Sequence, residues 1–386
     1  MQLTALTVTN FRNYAHQELE LASGAVLLLG ENAQGKTNLL EAVFLLATGR
    51  AARASVDADV IAWDVREEAQ PFARVMGKAR RASGDVTVEC TIAGRPGPRG
   101  LIATKKFKLN GVAKRAADVT GAIAAVLFTT DDMDLVRGAP ADRRRYMDIM
   151  LTQADRSYAR ALSAYGKIVT QRNALLKRIG DGSGKPDELE YWDEELSREG
   201  AVILQERARA MTPLAGWAKE AHARLSGERE ELDVAYAPRF AVGWTPDRIA
   251  EAPVDDVAAG LRGLLKQGSA RDIGAGLTLT GPHRDDITMM LGGEPAASFA
   301  SRGQQRTAAL ALRLAEARLL HERTGERPIL LLDDVLSELD QHRRDSVLDA
   351  IAADQLLITS ADADRFPAGF ASQVWHVRGG VATLSS

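Results

Sequence analysis

The stretch GENAQGKT, residues 30–37, follows a short apolar run at residues 26–29 and precedes a segment with helical spacing of apolar side chains at residues 37–47. It fits the pattern G-x-x-x-x-G-K-[ST] in the strand–loop–helix context that such a phosphate-binding loop requires. The glycines allow the backbone to turn N–H groups toward phosphate oxygens, and the start of the helix adds partial positive charge. The stretch therefore predicts a nucleotide-binding α/β domain.

Two side chains of this loop carry the predicted chemistry. Lys36 would reach the β and γ phosphates of ATP, and Thr37 would ligate Mg²⁺. A glycine-rich turn that binds nothing is the alternative interpretation. The residues predicted to bind ATP are Gly30, Glu31, Asn32, Ala33, Gln34, Gly35, Lys36 and Thr37.

A second acidic motif, ILLLDD at residues 329–334, places carboxylates at the end of a buried strand. Ligands of open α/β sheets bind at the carboxyl ends of the strands. We expect Asp333 to hold Mg²⁺ and Asp334 to polarise the attacking water, which makes Asp334 and Lys36 the catalytic candidates. Acidic residues often follow buried strands, so the functional interpretation of this motif depends on the presence of the phosphate loop.

The stretch SRGQQR, residues 301–306, opens an amphipathic segment that extends to about Arg323. Ser301 and Gln304 have the spacing of a capping box, so a well-started helix is the simplest interpretation. The helix start, with Gly303 leaving room for the backbone to approach, would also form a second anion site. Since the nucleotide already has a phosphate loop, Ser301, Gly303 and Gln304 are predicted to serve the nucleotide of another copy.

The rest of the chain predicts an α/β body interrupted by helices. We expect strands over residues 1–29, strand alternation over 74–115, two long helical stretches, a strand at 277–279 and a terminal hairpin. The helical stretches cover residues 143–179 and 189–225, and turn signals stand at Asn110-Gly111, Gly292-Gly293 and Gly379-Gly380. The predicted domains are residues 1–125 with 275–386, and the inserted residues 126–274.

Composition limits the possible partners. The 386 residues carry a formal charge of −3, so binding to a polyanion requires a local basic patch. Cys90 is the only cysteine, which suits a cytoplasmic protein. No apolar run approaches the ~20 residues that span a bilayer, and the first residues lack the pattern of a signal peptide. We expect no membrane partner.

Several motifs together resemble one family. SRGQQ resembles the signature motif of ABC-type ATPases, and residues 335–340, VLSELD, resemble the D-loop that follows their Walker B motif. The closest resemblance is to the RecF family of bacterial recombinational repair proteins. The resembling segments are residues 10–14, 30–38, 48–50, 138–145, 280–286, 301–306 and 331–340.

The resemblance implies an ABC-type P-loop ATPase head, with a lobe of mixed sheet and helices and an inserted α-helical lobe. It places Asn38 and Arg12 with the ATP-binding residues. It implies that two copies sandwich two ATP molecules and close on double-stranded DNA near single-strand gaps, where RecO and RecR help to load RecA. Asp334 stands where transporter ATPases carry glutamate, so we expect slow hydrolysis that serves as a switch.

Other ATPase classes fit less well. A transporter ATPase subunit would carry a histidine after the next strand, but residues 357–362, LITSAD, have none. In its place, Thr359 or Ser360 is a candidate contact to the γ phosphate. The helical insertion is too short for the heptad arms of an SMC-type head. A P-loop nuclease would need a further carboxylate cluster.

The DNA-binding surface is predicted from charge. Residues 74–115 contain eleven Lys or Arg and two acids, and Lys105, Lys106 and Lys108 are the candidate contacts. A solvated basic face is the alternative. Residues 137–178 are also basic and precede acidic residues 181–199, an asymmetry that could equally reflect pairing of helix to helix. For Arg143-Arg144-Arg145 the alternatives are contact with DNA, with the partner subunit or with the acidic helix. His283, Asp285 and Asp286 are expected to be structural rather than a metal site, and the five tryptophans are expected in the core.

Overall fold

The chain forms two compact units, Met1–Asp132 with Arg313–Ser386, and Met133–Leu312. The sequence predicts a change of domain near residue 275, whereas the units change inside a helix that runs from Arg302 to Thr324. A continuous helix carries no turn or linker signal at such a boundary. The computed structural model describes residues 1–97, 100–227, 230–240, 243–338, 344–345, 347–348, 351, 353–367 and 369–385.

The elements are named in chain order. The strands are β1 (Gln2–Phe11), β2 (Tyr14–Glu20), β3 (Gly24–Leu29), β4 (Phe72–Arg80), β5 (Val86–Gly97), β6 (Gly100–Leu109), β7 (Val112–Lys114), β8 (Ala125–Thr129), β9 (Leu232–Ala237), β10 (Asp286–Leu291), β11 (Glu294–Pro295), β12 (Ile329–Asp333), β13 (Gln355–Ser360), β14 (Gln373–Arg378) and β15 (Val381–Leu384). The helices are α1 (Lys36–Thr48), α2 (Ala116–Val119), α3 (Met133–Arg137), α4 (Pro140–Ala154), α5 (Arg156–Gly180), α6 (Leu189–Ser226), α7 (Pro246–Glu251), α8 (Val254–Ala275), α9 (Ala296–Phe299) and α10 (Arg302–Thr324).

A mixed sheet of order β15-β14-β3-β13-β12-β8 forms the centre of the first unit. Its strands from β8 to β14 pair in parallel, and β15 returns antiparallel through the predicted Gly379-Gly380 turn. Every residue of β12 and β13 is buried, as expected for the continuous apolar runs of parallel strands covered on both faces. The carboxyl ends of β3, β12 and β13 therefore meet at one edge, where Gly30 and Asp334 follow their strands.

An antiparallel sheet of order β2-β1-β4-β5-β6-β7 completes this unit. The predicted alternation is confirmed, because Val86, Val88, Cys90 and Ile92 are all buried. Burial also raises the pKa of the Cys90 thiol to about 12, which leaves it protonated and unreactive. On β6 the side chains of Lys106 and Lys108 are exposed beside buried Phe107.

Lys105 lies on the opposite face of β6 from its two neighbours. Its ammonium donates to the Gly49 carbonyl at 2.8 Å and pairs with Asp57 at 2.8 Å. Successive side chains of a strand point to opposite faces, so the three lysines cannot act on one surface. The grouping of Lys105 with Lys106 and Lys108 is therefore corrected: only the latter two share the solvent face.

The helical stretch predicted over residues 143–179 is two helices, α4 and α5. Asp155 separates them, and its side chain accepts hydrogen bonds from the backbone N–H groups of Ser157 at 2.6 Å and Tyr158 at 3.4 Å. An aspartate at this position starts a new helix by satisfying N–H groups that have no partner in the helix. The second stretch, predicted over 189–225, is confirmed as α6.

The strand predicted at residues 277–279 is an irregular segment after α8. Asp272 and Asn173 hold its backbone, since their side chains accept from the N–H groups of Leu279 at 3.1 Å and Thr278 at 2.7 Å. Side chains thus replace the partners that a neighbouring strand would supply. The second unit instead has β9, which was not predicted and which pairs with β10.

Buried ion pairs organise the second unit. Arg207 donates to Asp285 at 3.0 Å and to Asp148 at 2.8 Å, and Asp285 also accepts from the Tyr236 hydroxyl. Burial raises the pKa of Asp285, and Arg207 opposes that shift. The Asp285 carboxylate is therefore held by contacts inside this unit, which agrees with the structural role expected for the loop at 283–286.

The basic and acidic segments of this unit pair with each other at two positions. Buried Arg172 on α5 donates to Asp193 on α6 at 2.7 Å, and Arg178 lies 4.0 Å from Glu188. Arg143 and Arg144 are held in the same unit, by Asp286 and by the Asp285 carbonyl. Arg172 and Arg178 therefore pair with the acidic segment as that interpretation predicts, whereas Arg143 and Arg144 contact residues 285 and 286 instead.

The expectation that all five tryptophans lie in the core is confirmed for Trp375, whereas Trp192, Trp217 and Trp244 are only partly buried. Trp63 is 76% exposed, and the Arg66 guanidinium stacks 3.8 Å from its ring centre. A single aromatic residue between Ala62 and Asp64 has no periodic pattern that could show its direction.

Among the described residues no helix has the length and apolar character needed to cross a bilayer.

Candidate nucleotide-binding site

The phosphate loop is held from outside by residues 13 and 14. Asn13 Nδ2 donates to the Gln34 carbonyl at 2.9 Å, and the buried Tyr14 hydroxyl donates to the Gly35 carbonyl at 3.1 Å. Gly35 has a φ of 118°, and a Cβ there would lie 2.7 Å from the Asn13 amide. Only glycine fits this backbone, so the second glycine of the motif is explained by close packing as well as by conformation.

The C-terminal hairpin supplies a second support, which sequence reasoning missed. The turn between β14 and β15 donates its Gly379 N–H to Gln34 Oε1 at 2.8 Å and its Gly380 N–H to the Gln34 carbonyl at 3.0 Å. Gln34 therefore anchors the loop by its side chain and its backbone. The turn was predicted, but no sequence pattern indicates that it reaches a loop some 345 residues earlier.

Lys36 is buried at the start of α1, and its ammonium donates to the carbonyls of Gly30 at 2.6 Å and Glu31 at 2.8 Å. Burial lowers the pKa of this ammonium, while the negative charges of Asp334 and Asp333 oppose the shift. The lysine thus folds back over the loop and feels the charge of the two acidic residues at the end of β12.

Thr37 and Asp333, the two predicted magnesium ligands, are in direct contact. The Thr37 hydroxyl donates to Asp333 Oδ1 at 2.7 Å, and the Thr359 hydroxyl donates to the same oxygen at 2.9 Å. The Asp333 side chain is 4% exposed. The strands β12 and β13 and the helix α1 are therefore joined at a single carboxylate.

Arg53 is a contact that the sequence did not indicate. Its guanidinium lies 3.1 Å from Asp333 Oδ2, and its backbone N–H donates to buried Glu41 at 2.9 Å. Both oxygens of the Asp333 carboxylate therefore have partners in the protein. Arg53 belongs to no recognised motif, so only the fold could reveal it.

Asp334 has a strained backbone. Its φ is 55°, in the left-handed region that residues other than glycine rarely adopt. The Thr359 hydroxyl accepts its N–H at 2.9 Å, and its carbonyl accepts from Ser337 in the 3₁₀ turn Val335–Glu338. Strained residues that are held in place this way concentrate at functional sites. Of the D-loop, Leu339 and Asp340 lie outside the described residues.

The remaining residues predicted to contact ATP are either exposed at the tip of the loop or already held by other protein groups. Glu31, Asn32 and Ala33 are exposed at the tip of the loop, and the Asn38 amide donates to Asn13 at 2.8 Å. Arg12 makes a two-pronged ion pair with buried Glu41, at 2.8 and 2.9 Å. Arg12 is thereby fixed beside α1. The Ser360 hydroxyl donates to the Asp362 carbonyl at 2.8 Å, so it too has a protein partner.

The signature-like stretch belongs to the second unit. The predicted capping box is confirmed: the Gln304 N–H donates to the Ser301 hydroxyl at 3.3 Å, and the Ser301 N–H donates to Gln304 Oε1 at 2.5 Å. The next glutamine, Gln305, is buried and donates to the carbonyls of α9 and of Ala300. The two glutamines therefore fix the start of α10, while Ser301 itself stays exposed.

The residues of the first unit fit ATP and Mg²⁺ by their chemistry. The phosphate loop keeps a glycine cradle that a Cβ would fill, with a buried lysine behind it. Thr37 and Asp333 offer a hydroxyl and a carboxylate oxygen, the donors that Mg²⁺ prefers. Lys36, Thr37 and Asp333 are thus brought together, with Asp334 following at the same sheet edge.

Comparison with known proteins identifies relatives of this chain. The family described as RecF/RecN/SMC N terminal domain matches residues 2–378. The DNA replication and repair protein RecF of Herpetosiphon aurantiacus is 41% identical over 385 residues, covering 97% of each chain.

Two solved structures extend the comparison. The recombination mediator protein RecF with ATP, described in the RecFOR pathway, is 31% identical, has a TM-score of 0.87, and covers 100% of this chain and 98% of that one. An Smc head bound to the C-terminal winged-helix domain of ScpA is 14% identical with a TM-score of 0.51, covering 100% and 97%, and is similar in fold alone. The predicted fold class, an ABC-type P-loop ATPase head with an inserted helical lobe, is confirmed.

Proposed function

The chain belongs to the RecF family of DNA replication and repair proteins, and we propose that it is an ATP-controlled DNA-binding protein whose active form is a dimer of two copies. The observation that carries this proposal is the division of phosphate-binding features between two motifs. The phosphate loop and Asp333 would form one half, and the capped start of α10 at Ser301 would form a second anion site. In this proposal each ATP lies between the loop of one copy and the Ser301 helix of the other.

The residues of the first unit would bind and hold ATP. Lys36 would leave its two carbonyl partners and neutralise the phosphates, and Thr37 and Asp333 would hold Mg²⁺. When bound, Mg²⁺ would neutralise charge on the phosphate oxygens. Arg53, which now pairs with Asp333, would have to give up that contact or share it. ATP binding would thus rearrange contacts that the structure already contains.

Asp334 would orient the water that attacks the γ phosphate. Its left-handed backbone and the hydrogen bond from its N–H to Thr359 fix the position of the Asp334 backbone, from which the carboxylate extends. Aspartate is one methylene shorter than the glutamate of transporter ATPases, so it would hold the water less well. Slow hydrolysis follows, and it suits a switch that stays closed on DNA for many seconds.

The outer face of the antiparallel sheet is the proposed DNA surface. Register places Thr9, Arg74, Thr91 and Lys106 side by side across four strands. Neighbouring strands lie about 4.8 Å apart, so these cations and hydroxyls form a row that can contact a phosphate backbone without reading bases. Glu89 pairs with Arg74 and Lys108 at 2.8 and 3.2 Å, and these hydrogen bonds outweigh its burial and lower its pKa.

The partners follow from the relatives. A structural neighbour is described in the RecFOR pathway, and we infer that this chain acts with RecO and RecR at junctions of single- and double-stranded DNA to help load RecA. The helices of the inserted unit support this role over that of an SMC-type head. Its longest helices, α5 and α6, have 25 and 38 residues, too short for long coiled-coil arms.

Sedimentation velocity tests the proposal directly. The protein is run with and without ATP and Mg²⁺, on fully duplex and on gapped DNA. We expect a monomer without ATP and a DNA-bound dimer with ATP, and we expect Lys36→Met to remain monomeric. A wild-type protein that stays monomeric under every condition contradicts the proposal.

A separate variant tests the proposed DNA surface. Lys106→Glu should weaken DNA binding and reduce the dependence of log K on log salt by about one unit. Lys266→Glu makes the same charge change at an exposed position on α8 and should leave DNA binding unchanged. Equal effects of the two variants would place the DNA elsewhere.

A further inference from the structure

Glu230 lies in the segment between α6 and β9 and contacts the signature-like stretch. Its carboxylate accepts a hydrogen bond from Gln304 Nε2. The other end of the same amide, Gln304 Oε1, accepts from the Ser301 N–H at 2.5 Å. Both partners lie in the second unit, so this is a contact within one compact body.

These two partners fix the orientation of the Gln304 amide. A carboxylate accepts hydrogen bonds, and a backbone N–H donates one, so the amide nitrogen must face Glu230 and its oxygen must face Ser301. Without Glu230 the amide could rotate, and the Ser301 N–H would lose a defined partner. The capping box alone does not provide this, because it engages only one end of the amide.

We propose that Glu230 is a positioning residue for the second anion site, acting through Gln304 on Ser301. The inference rests on the proposed function, in which Ser301 and the start of α10 receive the phosphates held by another copy. Glu230 sets the angle of the Ser301 backbone before that copy arrives. A preformed site binds more tightly, since the ordering of its groups does not have to accompany binding.

The location of Glu230 gives this contact a further consequence. The residue precedes β9, whose partner β10 leads through β11 and α9 to Ser301. The segment that leads into Ser301 and the residue that contacts Gln304 are thus both connected to the same small sheet. A shift of the segment after α6 would be transmitted to Ser301 through one hydrogen bond.

The substitution Glu230→Ala removes the acceptor, and Glu230→Gln keeps an acceptor oxygen but removes the charge. With ATP and Mg²⁺, we expect the dimer of Glu230→Ala to be about tenfold weaker, the size expected for loss of one hydrogen bond. Glu230→Gln should restore dimerisation to near the wild-type level. A loss of equal size in both variants would mean that the charge, and not the positioning of Gln304, matters, and would overturn the inference.

Two controls make the test specific. Glu231→Ala removes the neighbouring carboxylate, which pairs with Lys219 on the surface, and should dimerise like the wild type. In a double-mutant cycle, adding Glu230→Ala to Gln304→Ala should cause no further loss. If the two losses are additive, Glu230 does not act through Gln304.

Hydrogen exchange on the monomer separates this inference from the proposed function. Without ATP, Glu230→Ala should speed exchange of the backbone N–H groups at 301–304, and Glu230→Gln should not. If exchange changes as expected but no variant dimerises, the wild type included, the proposed function fails and the positioning contact stands. If exchange and wild-type-like dimerisation are both unaffected by Glu230→Ala, the inference fails.

Discussion

The Thr37 hydroxyl donates a 2.7 Å hydrogen bond to Asp333 Oδ1, which joins the start of α1 to the end of β12 across 296 residues of sequence. Both groups offer an oxygen atom that a magnesium ion could bind, and the two oxygens are in direct contact. We expect Thr37→Val, which keeps the shape but removes the hydroxyl, to weaken ATP binding in Mg²⁺ by about tenfold or more, as for loss of a hydrogen bond to a charged group.

The magnesium dependence makes this prediction specific. In EDTA, Thr37→Val and the wild type should bind a fluorescent ATP analogue equally, and Thr37→Ser should behave like the wild type in both solutions. The same loss of affinity with and without Mg²⁺ would show that Thr37 does not act through the metal.

The turn at Gly379 and Gly380 provides a matched pair of substitutions. Both glycines have positive φ, but a Cβ at Gly380 would lie 2.1 Å from the Asn13 carbonyl, whereas at Gly379 it would meet nothing within 4 Å. The left-handed backbone costs alanine about 1–2 kcal/mol at either position. Gly380→Ala should add a clash of about 1–3 kcal/mol and displace the support of the phosphate loop.

Denaturant unfolding and ATP titration check this pair. Gly379→Ala should lose stability only, while Gly380→Ala should lose more stability and also ATP affinity. Equal ATP affinities would mean that the hairpin does not support the loop.

Thr359 holds both acidic residues, donating to Asp333 and accepting from the Asp334 N–H. Thr359→Val leaves a buried carboxylate oxygen and a backbone N–H each short of a partner, at about 1–3 kcal/mol for such a group. We expect hydrolysis to fall at least tenfold while the monomer still binds ATP, and Thr359→Ser to restore it. Unchanged hydrolysis by Thr359→Val would remove Thr359 from the site.

His283 predicts a pH dependence of stability. Its Nδ1 faces the Tyr165 hydroxyl at 2.7 Å and its Nε2 faces the Thr278 carbonyl at 2.9 Å. Burial lowers its pKa to about 4, with Arg284 and Arg144 acting in the same direction. The unfolded chain binds a proton near pH 6.5 and the folded protein does not, so stability is present above pH 6.5 and is lost as the pH falls toward 4.

The comparison variant is His283→Gln, which cannot titrate. The unfolding free energy of the wild type, relative to that of the variant, should fall by about 3 kcal/mol between pH 7 and pH 4, at about 1.4 kcal/mol per unit of pKa. A constant difference across this range would show that His283 titrates normally.

Sequence patterns predicted the strands and helices whose apolar side chains follow a regular local spacing. Continuous apolar runs identified β3 and β12, alternation identified β5, and spacing identified α6. It missed the break at Asp155 because an N-cap aspartate inside a helical pattern looks like any surface residue. It placed a strand at 277–279 because two leucines alternate with a threonine there. In the structure, the side chains of Asp272 and Asn173 hold that backbone instead of a neighbouring strand.

For the site, motifs found the residues that would touch ATP, and the fold supplied the residues that support them. Asn13 and Tyr14 lay within a resembling segment, but their contacts with Gln34 and Gly35 could not be read from spacing. Arg53 and Glu230 carry no motif at all. Supporting residues depend on tertiary contact, and each contact joins segments that local patterns describe separately.

The most direct test of the two-copy site mixes two inactive variants. Lys36→Met lacks the phosphate-loop lysine, and Ser301→Arg blocks the second anion site, so neither homodimer contains an intact site. A dimer of one copy of each contains one site with both Lys36 and Ser301 intact, because each site draws on both copies. We predict that the mixture hydrolyses ATP on DNA although neither variant does so alone. Hydrolysis by the mixture no greater than the average of the separate variants would contradict the two-copy site.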